Sequence, residues 1–306
     1  MKTEIALEPR QVPDYKEAIE SVGGVVAPLT GDVKAMVWTD YADPEGLKAL
    51  LIQNPQLLWV QLPFAGVDAF HEVLQHPIIF TSAKRSYSEP VAEHALALCL
   101  ALCRVLPERV RDQSWGRQFA DSLFDEEVLI IGGGGIAEQL VQLLVPFRSQ
   151  VTVIRKHPDA PFVSGFQGKV LGFDQFETEL AKAKFVVLAC ALTKETHHLF
   201  NARAFRVMRK DSYLVNVARG MVINQDDLVD ALQSGEIASA AVDVTYPEPL
   251  PKEHAMWGLD NLLITPHTAD TMEIVTRLFS QRLRENVSAW LEGSELIGVV
   301  DPKLGY

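Results

Sequence analysis

Cysteine is scarce in this chain. Three residues in 306, Cys99, Cys103 and Cys190, cannot build a disulfide framework, which excludes the small stapled folds. Cys99 and Cys103 fall one helical turn apart in an apolar stretch, as two core thiols do, and no metal is expected. Long apolar runs are missing as well. The most apolar stretch, Ala95 to Cys103, is too short to span a bilayer, and the opening MKTEIALEPR lacks the apolar core of a secretion signal. Positive charge is in deficit: 28 Lys and Arg stand against 40 Asp and Glu, a net charge of −12. That balance argues against a nucleic-acid surface, although a few local Arg side chains can still hold an anionic substrate. No internal repeat or low-complexity tract stands out. These absences argue against membrane and nucleic-acid partners and lead us to expect a cytoplasmic enzyme or binding protein.

What is present points to two α/β domains. A chain of 306 residues with 48% hydrophobic and 22% charged residues exceeds a usual single core. The centre of the pattern is Glu127 to Phe147. Val128 to Ile131 has the composition of a buried parallel strand. Four glycines follow, Gly132 to Gly135, and then Ile136, Leu140, Val141 and Leu144 recur at helical spacing until Pro146 ends the pattern. Strand, glycine turn and helix together form the context of a dinucleotide fingerprint. Gly132 suits the tight bend, and Gly134 lets backbone approach a pyrophosphate at the positive end of the helix. Ala137 stands at the third position, where helix packs on strand. Alone, the motif is also compatible with a plain glycine-rich turn.

Before it, strands are expected at Glu4–Leu7, Val25–Pro28, Ala35–Thr39, Leu58–Gln61 and Ile78–Thr81. Helices are expected at Pro13–Ser21, Gly46–Asn54 and Val67–Gln75. Such alternation implies a parallel sheet covered by helices. Phe64, Ala65 and Gly66 lie in a strand-to-helix turn whose amides can form a small anion site. Ser88-Glu89-Pro90 opens a helix that is apolar around most of its circumference through Val105, a natural spine between domains. His94, near its start, reads as a hydrogen-bonded structural histidine. Arg104 to Phe124 reads as helix followed by loop.

Beyond the glycine turn, strands are expected at Val151–Ile154, Phe185–Ala189, Ser212–Val217, Ala240–Val244 and Leu262–Thr265. A helix at Asp226–Gln233 is closed by Gly235. The end of the second nucleotide strand reads the adenosine ribose in this fold, where an acid suits NAD. Here Arg155, Lys156 and His157 stand there, and a guanidinium can pair with a 2′-phosphate, so NADP is the expected preference over NAD. Arg219, Glu248 and His267 all fall just past predicted strand ends, on the side where ligands collect. Reduction of a 2-oxo acid beside a nicotinamide needs a cation for the carboxylate and ketone, and a proton donor active near neutral pH. It also benefits from a carboxylate that orients that donor. Arg219, His267 and Glu248 fit these roles in that order.

The chain resembles the D-isomer-specific 2-hydroxyacid dehydrogenases, which include glyoxylate/hydroxypyruvate reductases and phosphoglycerate dehydrogenases. The resemblance rests on Ala65-Gly66-Val67-Asp68, Val91-Ala92-Glu93-His94, Gly132 to Ala137, Asn216-Val217-Ala218-Arg219-Gly220, Asp243 with Glu248-Pro249-Leu250, and Met256-Trp257 leading to Thr265-Pro266-His267. It implies a Rossmann nucleotide-binding domain over 89–268. It also implies a smaller, discontinuous flavodoxin-like substrate domain over 1–88 and 269–306, both with parallel sheets and with the active site in the cleft. The long amphipathic helix expected from Met272 to Leu291 would return the chain to the first domain. The resemblance further implies that Arg219 binds the substrate carboxylate and carbonyl, that His267 is the general acid/base paired with Glu248, and that Asp243 bonds the nicotinamide carboxamide. Substrate contacts are expected from Phe64, Ala65, Gly66, Arg219 and Trp257, with Arg85 and Tyr87 as further pocket candidates. Cofactor contacts are expected from Gly132, Gly134, Gly135, Ile136, Arg155, Lys156, Ala191, Leu192, Thr196, Val217, Ala218, Arg219, Asp243 and His267. The implied function is hydride transfer between NAD(P)H and a small 2-oxo acid such as glyoxylate or hydroxypyruvate, in a homodimer joined through the nucleotide domains. The alternative is a non-catalytic nucleotide sensor on the same fold, since some relatives act as corepressors. Arg155 in place of the usual acid and the Pro63-Phe64 pair depart from the family pattern, so substrate choice is not inherited.

Overall fold

The structure is a computed structural model that describes residues 3–116 and 118–302. Met1, Lys2, Arg117 and residues 303–306 lie outside the described residues, and with them the extreme ends of the expected substrate domain and one residue of the expected 104–124 connection. The chain divides into two compact units, Met1–Tyr87 with Thr271–Tyr306, and Ser88–Asp270.

In the first unit five short strands, β1 (Glu4–Glu8), β2 (Val25–Val26), β3 (Ala35–Trp38), β4 (Trp59–Gln61) and β5 (Ile79–Thr81), form a parallel sheet in the order β2-β1-β3-β4-β5. That is the flavodoxin-like order. Every residue of β3 and β4 is buried, which is why these runs show no polar alternation in sequence. Helices α1 (Pro13–Ser21) and α2 (Pro44–Gln53) each begin with Pro in the first turn. The expected helix over Val67–Gln75 is instead two 3-10 turns, Asp68–Phe70 and Val73–Gln75. Its buried residues Val67, Phe70 and Val73 recur every three positions, the repeat of the tighter helix.

The second unit begins with α3 (Ser88–Cys103), buried along Ala92, Ala95, Cys99 and Cys103, and a short α4 (Leu106–Arg111). Its sheet is wholly parallel. The strands are β6 (Glu127–Ile131), β7 (Gln150–Ile154), β8 (Lys169–Leu171), β9 (Phe185–Leu188), β10 (Tyr213–Asn216), β11 (Ser239–Val242) and β12 (Leu262–Ile264), in the order β12-β11-β10-β9-β6-β7-β8. The reversal of direction at β6 makes this a Rossmann sheet. The residues of β6 alternate: Val128 and Ile130 join the core on one face, and Leu129 and Ile131 the core on the other. Helices α5 (Gly135–Leu144), α6 (Phe176–Leu180), α7 (Ala202–Val207) and α8 (Gln225–Ser234) connect the strands. Gly235 closes α8 in the left-handed region. The edge strand β8 has no counterpart among the expected strands, because three residues with only partial burial carry no periodicity.

The chain then returns to the first unit through α9 (Met272–Glu292), which packs on α1 and ends at the left-handed Gly293. A buried polar network fixes it there. Asn286 donates to Gln61 Oε1 at 2.7 Å, and Gln61 Oε1 also accepts from Thr81 at 2.8 Å. Asn286 exchanges two further bonds with the Ile297 backbone. Among the described residues no helix is long and apolar enough to cross a membrane.

Candidate active site

The loops at the carboxyl ends of the second unit's strands hold the residues expected from sequence to carry the chemistry. β6 runs into Gly132, whose φ of +111° only glycine adopts freely, and whose absent Cβ would meet the Ala189 carbonyl oxygen at 2.5 Å. Gly134 is the N-cap of α5, with no side chain capping the helix and open space where its Cβ would stand. The first amides of α5 therefore face outward at the positive end of a ten-residue helix, a fit for pyrophosphate. Ala137 is fully buried against the sheet, so its methyl fills the helix–strand contact. Gly135 and Ile136 open the helix beside it. Thr196 is buried. Its hydroxyl donates to the Ala191 carbonyl at 2.8 Å and accepts from the Thr193 amide at 2.7 Å, closing the turn that presents Ala191 and Leu192.

Arg155 follows β7. Its Nη1 and Nη2 donate to the Pro161 carbonyl at 3.2 Å, Nη2 also donates to the Ala160 carbonyl, and the guanidinium lies 5.3 Å from the Phe162 ring centre. Lys156 pairs with Glu195 at 3.7 Å on the surface. In sequence β7 is followed by Arg155, Lys156 and His157, with none of these three positions holding the acid that would suit a ribose diol.

Arg219 is half-buried after β10, next to the buried Val217 and Ala218. Asn216 shapes this turn, donating to the Arg219 carbonyl at 3.0 Å and accepting from the Ala218 amide at 3.0 Å. The Arg219 guanidinium donates to the Ala218 carbonyl at 2.8 Å. Gly220 lies against the Thr245 backbone so closely that a Cβ would overlap it, which draws the Arg219 turn onto the loop carrying Glu248. Glu248 Oε1 accepts from the Thr245 amide at 2.9 Å, and Oε2 lies 2.9 Å from His267 Nδ1.

The electrostatics follow from this pairing. The bond to Glu248 raises the His267 pKa above its usual value, against the opposing effects of burial and of the Arg219 charge. For Glu248, burial favours the neutral acid, but the bonds from His267 and the Thr245 amide outweigh it and hold the carboxyl ionised. Asp270, three residues beyond His267, is half-buried and its pKa is raised by burial, in electrostatic reach of His267 and Arg219. Sequence gave no signal for it, because burial of a single loop acid leaves no pattern.

His267 itself has φ +52°, unusual for a residue with a side chain. Asp243, at the end of β11, holds that backbone. Its carbonyl accepts from the His267 amide at 2.8 Å. Its carboxylate accepts from Thr268 N (2.9 Å), Ala269 N (3.1 Å) and Thr265 Oγ1 (2.6 Å), and lies 3.3 Å from His94 Nε2. Burial opposes the charge, yet the bonds from His94, Thr265 and the Thr268 amide bring the Asp243 pKa down to about 2. His94 thus belongs to this cluster, also 3.1 Å from Thr265 Oγ1. Trp257 sits on a 3-10 turn, half-exposed, its indole donating to the Pro251 carbonyl at 3.0 Å.

In the first unit, Phe64 packs edge-on against Tyr41, with ring centres 5.1 Å apart, and accepts through its carbonyl from Ala83 N at 3.0 Å. Tyr87, buried, donates to the Pro63 carbonyl at 2.7 Å and so braces the turn carrying Ala65 and Gly66. Arg85 has a left-handed backbone, φ +72°.

A doubly wound nucleotide sheet with a glycine turn and an acid-backed imidazole defines a nicotinamide-dependent oxidoreductase fold. Residues 96–269, more than half the chain, match the family described as D-isomer specific 2-hydroxyacid dehydrogenase, NAD binding domain, and the chain belongs to that family. It is 34% identical over 242 residues to the glyoxylate reductase/hydroxypyruvate reductase of Homo sapiens, covering 76% of this chain and 73% of that one. With glyoxylate/hydroxypyruvate reductase B of Escherichia fergusonii it shares 29% identity over 286 residues, 86% of each chain. The crystal structure of a D-isomer specific 2-hydroxyacid dehydrogenase from Xanthobacter autotrophicus Py2, in complex with NADPH and MES, superposes over 100% of both chains with TM-score 0.87 at 26% identity.

Proposed function

We propose that this protein is an NADP-preferring reductase of small 2-oxo acids, with glyoxylate and hydroxypyruvate as the first substrates to test. The observation that carries the reading is the 2.9 Å pair between Glu248 and His267, with the charge of Arg219 acting on both. A bound nicotinamide coenzyme supplies the hydride. Gly132, Gly134, Gly135 and Ile136 would hold its pyrophosphate, Arg155 and Lys156 its adenosine end, and Ala191, Leu192, Thr196, Val217, Ala218 and Asp243 the remainder. Arg219 binds the carboxylate and polarises the ketone with a two-pronged contact. His267 Nδ1 is committed to Glu248, so Nε2 delivers the proton to the carbonyl oxygen. Glu248 fixes the ring and favours its charged form. Phe64, Ala65, Gly66 and Trp257 are assigned to substrate binding.

Relatives named as glyoxylate/hydroxypyruvate reductases and a structural neighbour crystallised with NADPH support the reaction class and the coenzyme. The test is NADPH and NADH oxidation with a panel of 2-oxo acids. We expect turnover with glyoxylate or hydroxypyruvate and a higher kcat/KM for NADPH; tight coenzyme binding without turnover on any 2-oxo acid would instead favour a nucleotide sensor.

We also propose a homodimer formed through the second unit. Its segment from Leu106 to Phe124 exposes several large apolar side chains, with Trp115 90% and Val110 84% accessible. Large apolar side chains this exposed are suited to burial against a second copy. Light scattering should give twice the chain mass, and Trp115→Glu with Val110→Glu should give the monomer.

A further inference from the structure

We propose that Gly133 is a specificity-determining residue, which sets coenzyme preference by providing the seat on which Arg155 lies. This rests on the reading of Arg155 as the partner of a 2′-phosphate. Two other glycines of the turn have their own reasons: Gly132 for its positive φ, and Gly134 for the open approach at the helix N-terminus. Gly133 has neither a positive φ nor open space above it. A Cβ at Gly133 would overlap the Cδ of Arg155 and press on its Cβ at 3.1 Å and its Cγ at 3.3 Å. The aliphatic stem of Arg155 therefore runs across the bare Gly133 backbone.

The far end of the side chain is fixed too. The Ala160 and Pro161 carbonyls take the two terminal nitrogens, and the Phe162 ring lies against the guanidinium. Between these two anchors, Arg155 Nε is buried and has no hydrogen-bond partner. A buried donor is costly to leave unmade, and an anionic oxygen reaching it would satisfy it. A methyl at position 133 cannot coexist with this path. The flexible stem swings away, and the guanidinium leaves its position although Arg155 is still present. The bend at Gly132 and the approach at Gly134 are untouched, so the change acts on selectivity between the coenzymes.

Calorimetric Kd values for NADP⁺ and NAD⁺ test this without turnover, on the full chain and its Gly133→Ala, Arg155→Ser and doubly substituted forms. Arg155→Ser should lower the affinity ratio of NADP⁺ over NAD⁺ by at least about tenfold. Gly133→Ala should lower it by most of that factor, and the double variant by no more than Arg155→Ser alone. Phe162→Ala, which loosens the other anchor away from the glycine turn, should lower the ratio severalfold. If Gly133→Ala leaves the ratio unchanged, or weakens both coenzymes equally, while Arg155→Ser abolishes the preference, the seat is refuted and the role of Arg155 stands. An unchanged ratio in Arg155→Ser overturns both.

Discussion

Glu248 Oε2 and His267 Nδ1 lie 2.9 Å apart, and each side chain moves the other's proton affinity toward the charged state. For the proposed proton transfer the raised His267 pKa has a definite sign. The imidazolium, the form that donates a proton to a ketone, persists to higher pH than an isolated imidazole would allow. Ketone reduction should therefore be fast below the raised His267 pKa and fall as pH rises through it. The reverse oxidation should rise over the same interval. Glu248→Gln removes the carboxylate, so the limb of the kcat/KM profile for reduction should move to lower pH, and kcat at neutral pH should fall by roughly tenfold to a hundredfold. A limb that stays where it was would detach Glu248 from the ionisation of His267.

The two groups assigned to the substrate divide the work differently, and kinetics can separate them. His267→Ala should lower kcat by about 10²–10⁴ with the Kd for NADP⁺ within a fewfold, because only proton transfer is removed. Arg219→Lys keeps the charge but loses the planar fork, and should lower kcat/KM for the 2-oxo acid by orders of magnitude. Full activity in either variant, measured as NADPH oxidation, would remove that residue from the mechanism.

Much of this was written in the local pattern of the chain. The apolar run Val128–Ile131 and its glycines became β6 and the start of α5, and Pro146, Gly235 and Gly293 mark helix ends where their chemistry requires. Pro13–Ser21 is helical over the range read from sequence. What escaped has no local period. β8 is three residues at a sheet edge, and the 68–75 segment repeats every three positions in a length too short to distinguish helix types. The cluster of His94, Asp243 and Thr265 joins residues as far as 171 apart in sequence, so His94 could be read as hydrogen-bonded but its partners could not be named.

That cluster carries a prediction of its own. The Asp243 carboxylate accepts from Thr265, Thr268 and Ala269, on either side of His267, whose left-handed backbone is bonded to the Asp243 carbonyl. In Asp243→Asn one acceptor oxygen becomes an NH₂, which faces N–H donors. The loop should shift, and kcat should fall on the order of tenfold to a hundredfold while the protein stays folded. An Asn variant with native kcat and a native pH profile would show that His267 keeps its place without this pin.

Acid stability draws on a second buried charge. Lys184, 5% exposed, lies 2.9 Å from both Asp121 and Asp211, and Tyr213 donates to Asp121 at 2.6 Å. The bond from Arg209 is the main cause of the lowered Asp211 pKa. For Asp121, burial opposes ionisation, but the bonds from Tyr213 and Lys184 prevail and lower its pKa as well. A carboxylate whose folded pKa is depressed stabilises the fold above its unfolded pKa of about 3.9, and that stability is lost as pH falls through the folded value. The melting temperature should therefore be flat toward neutral pH and drop below about pH 4. Lys184→Met should lower stability at pH 7 by on the order of 1–2 kcal/mol, because it leaves Asp121 without its cation. It should also make the fall in acid shallower, since one contribution to the depressed pKa values is gone. Calorimetric melts of both proteins from pH 7 to pH 2 decide it, and parallel curves would mean that the Lys184 pairs contribute no pH-dependent stability.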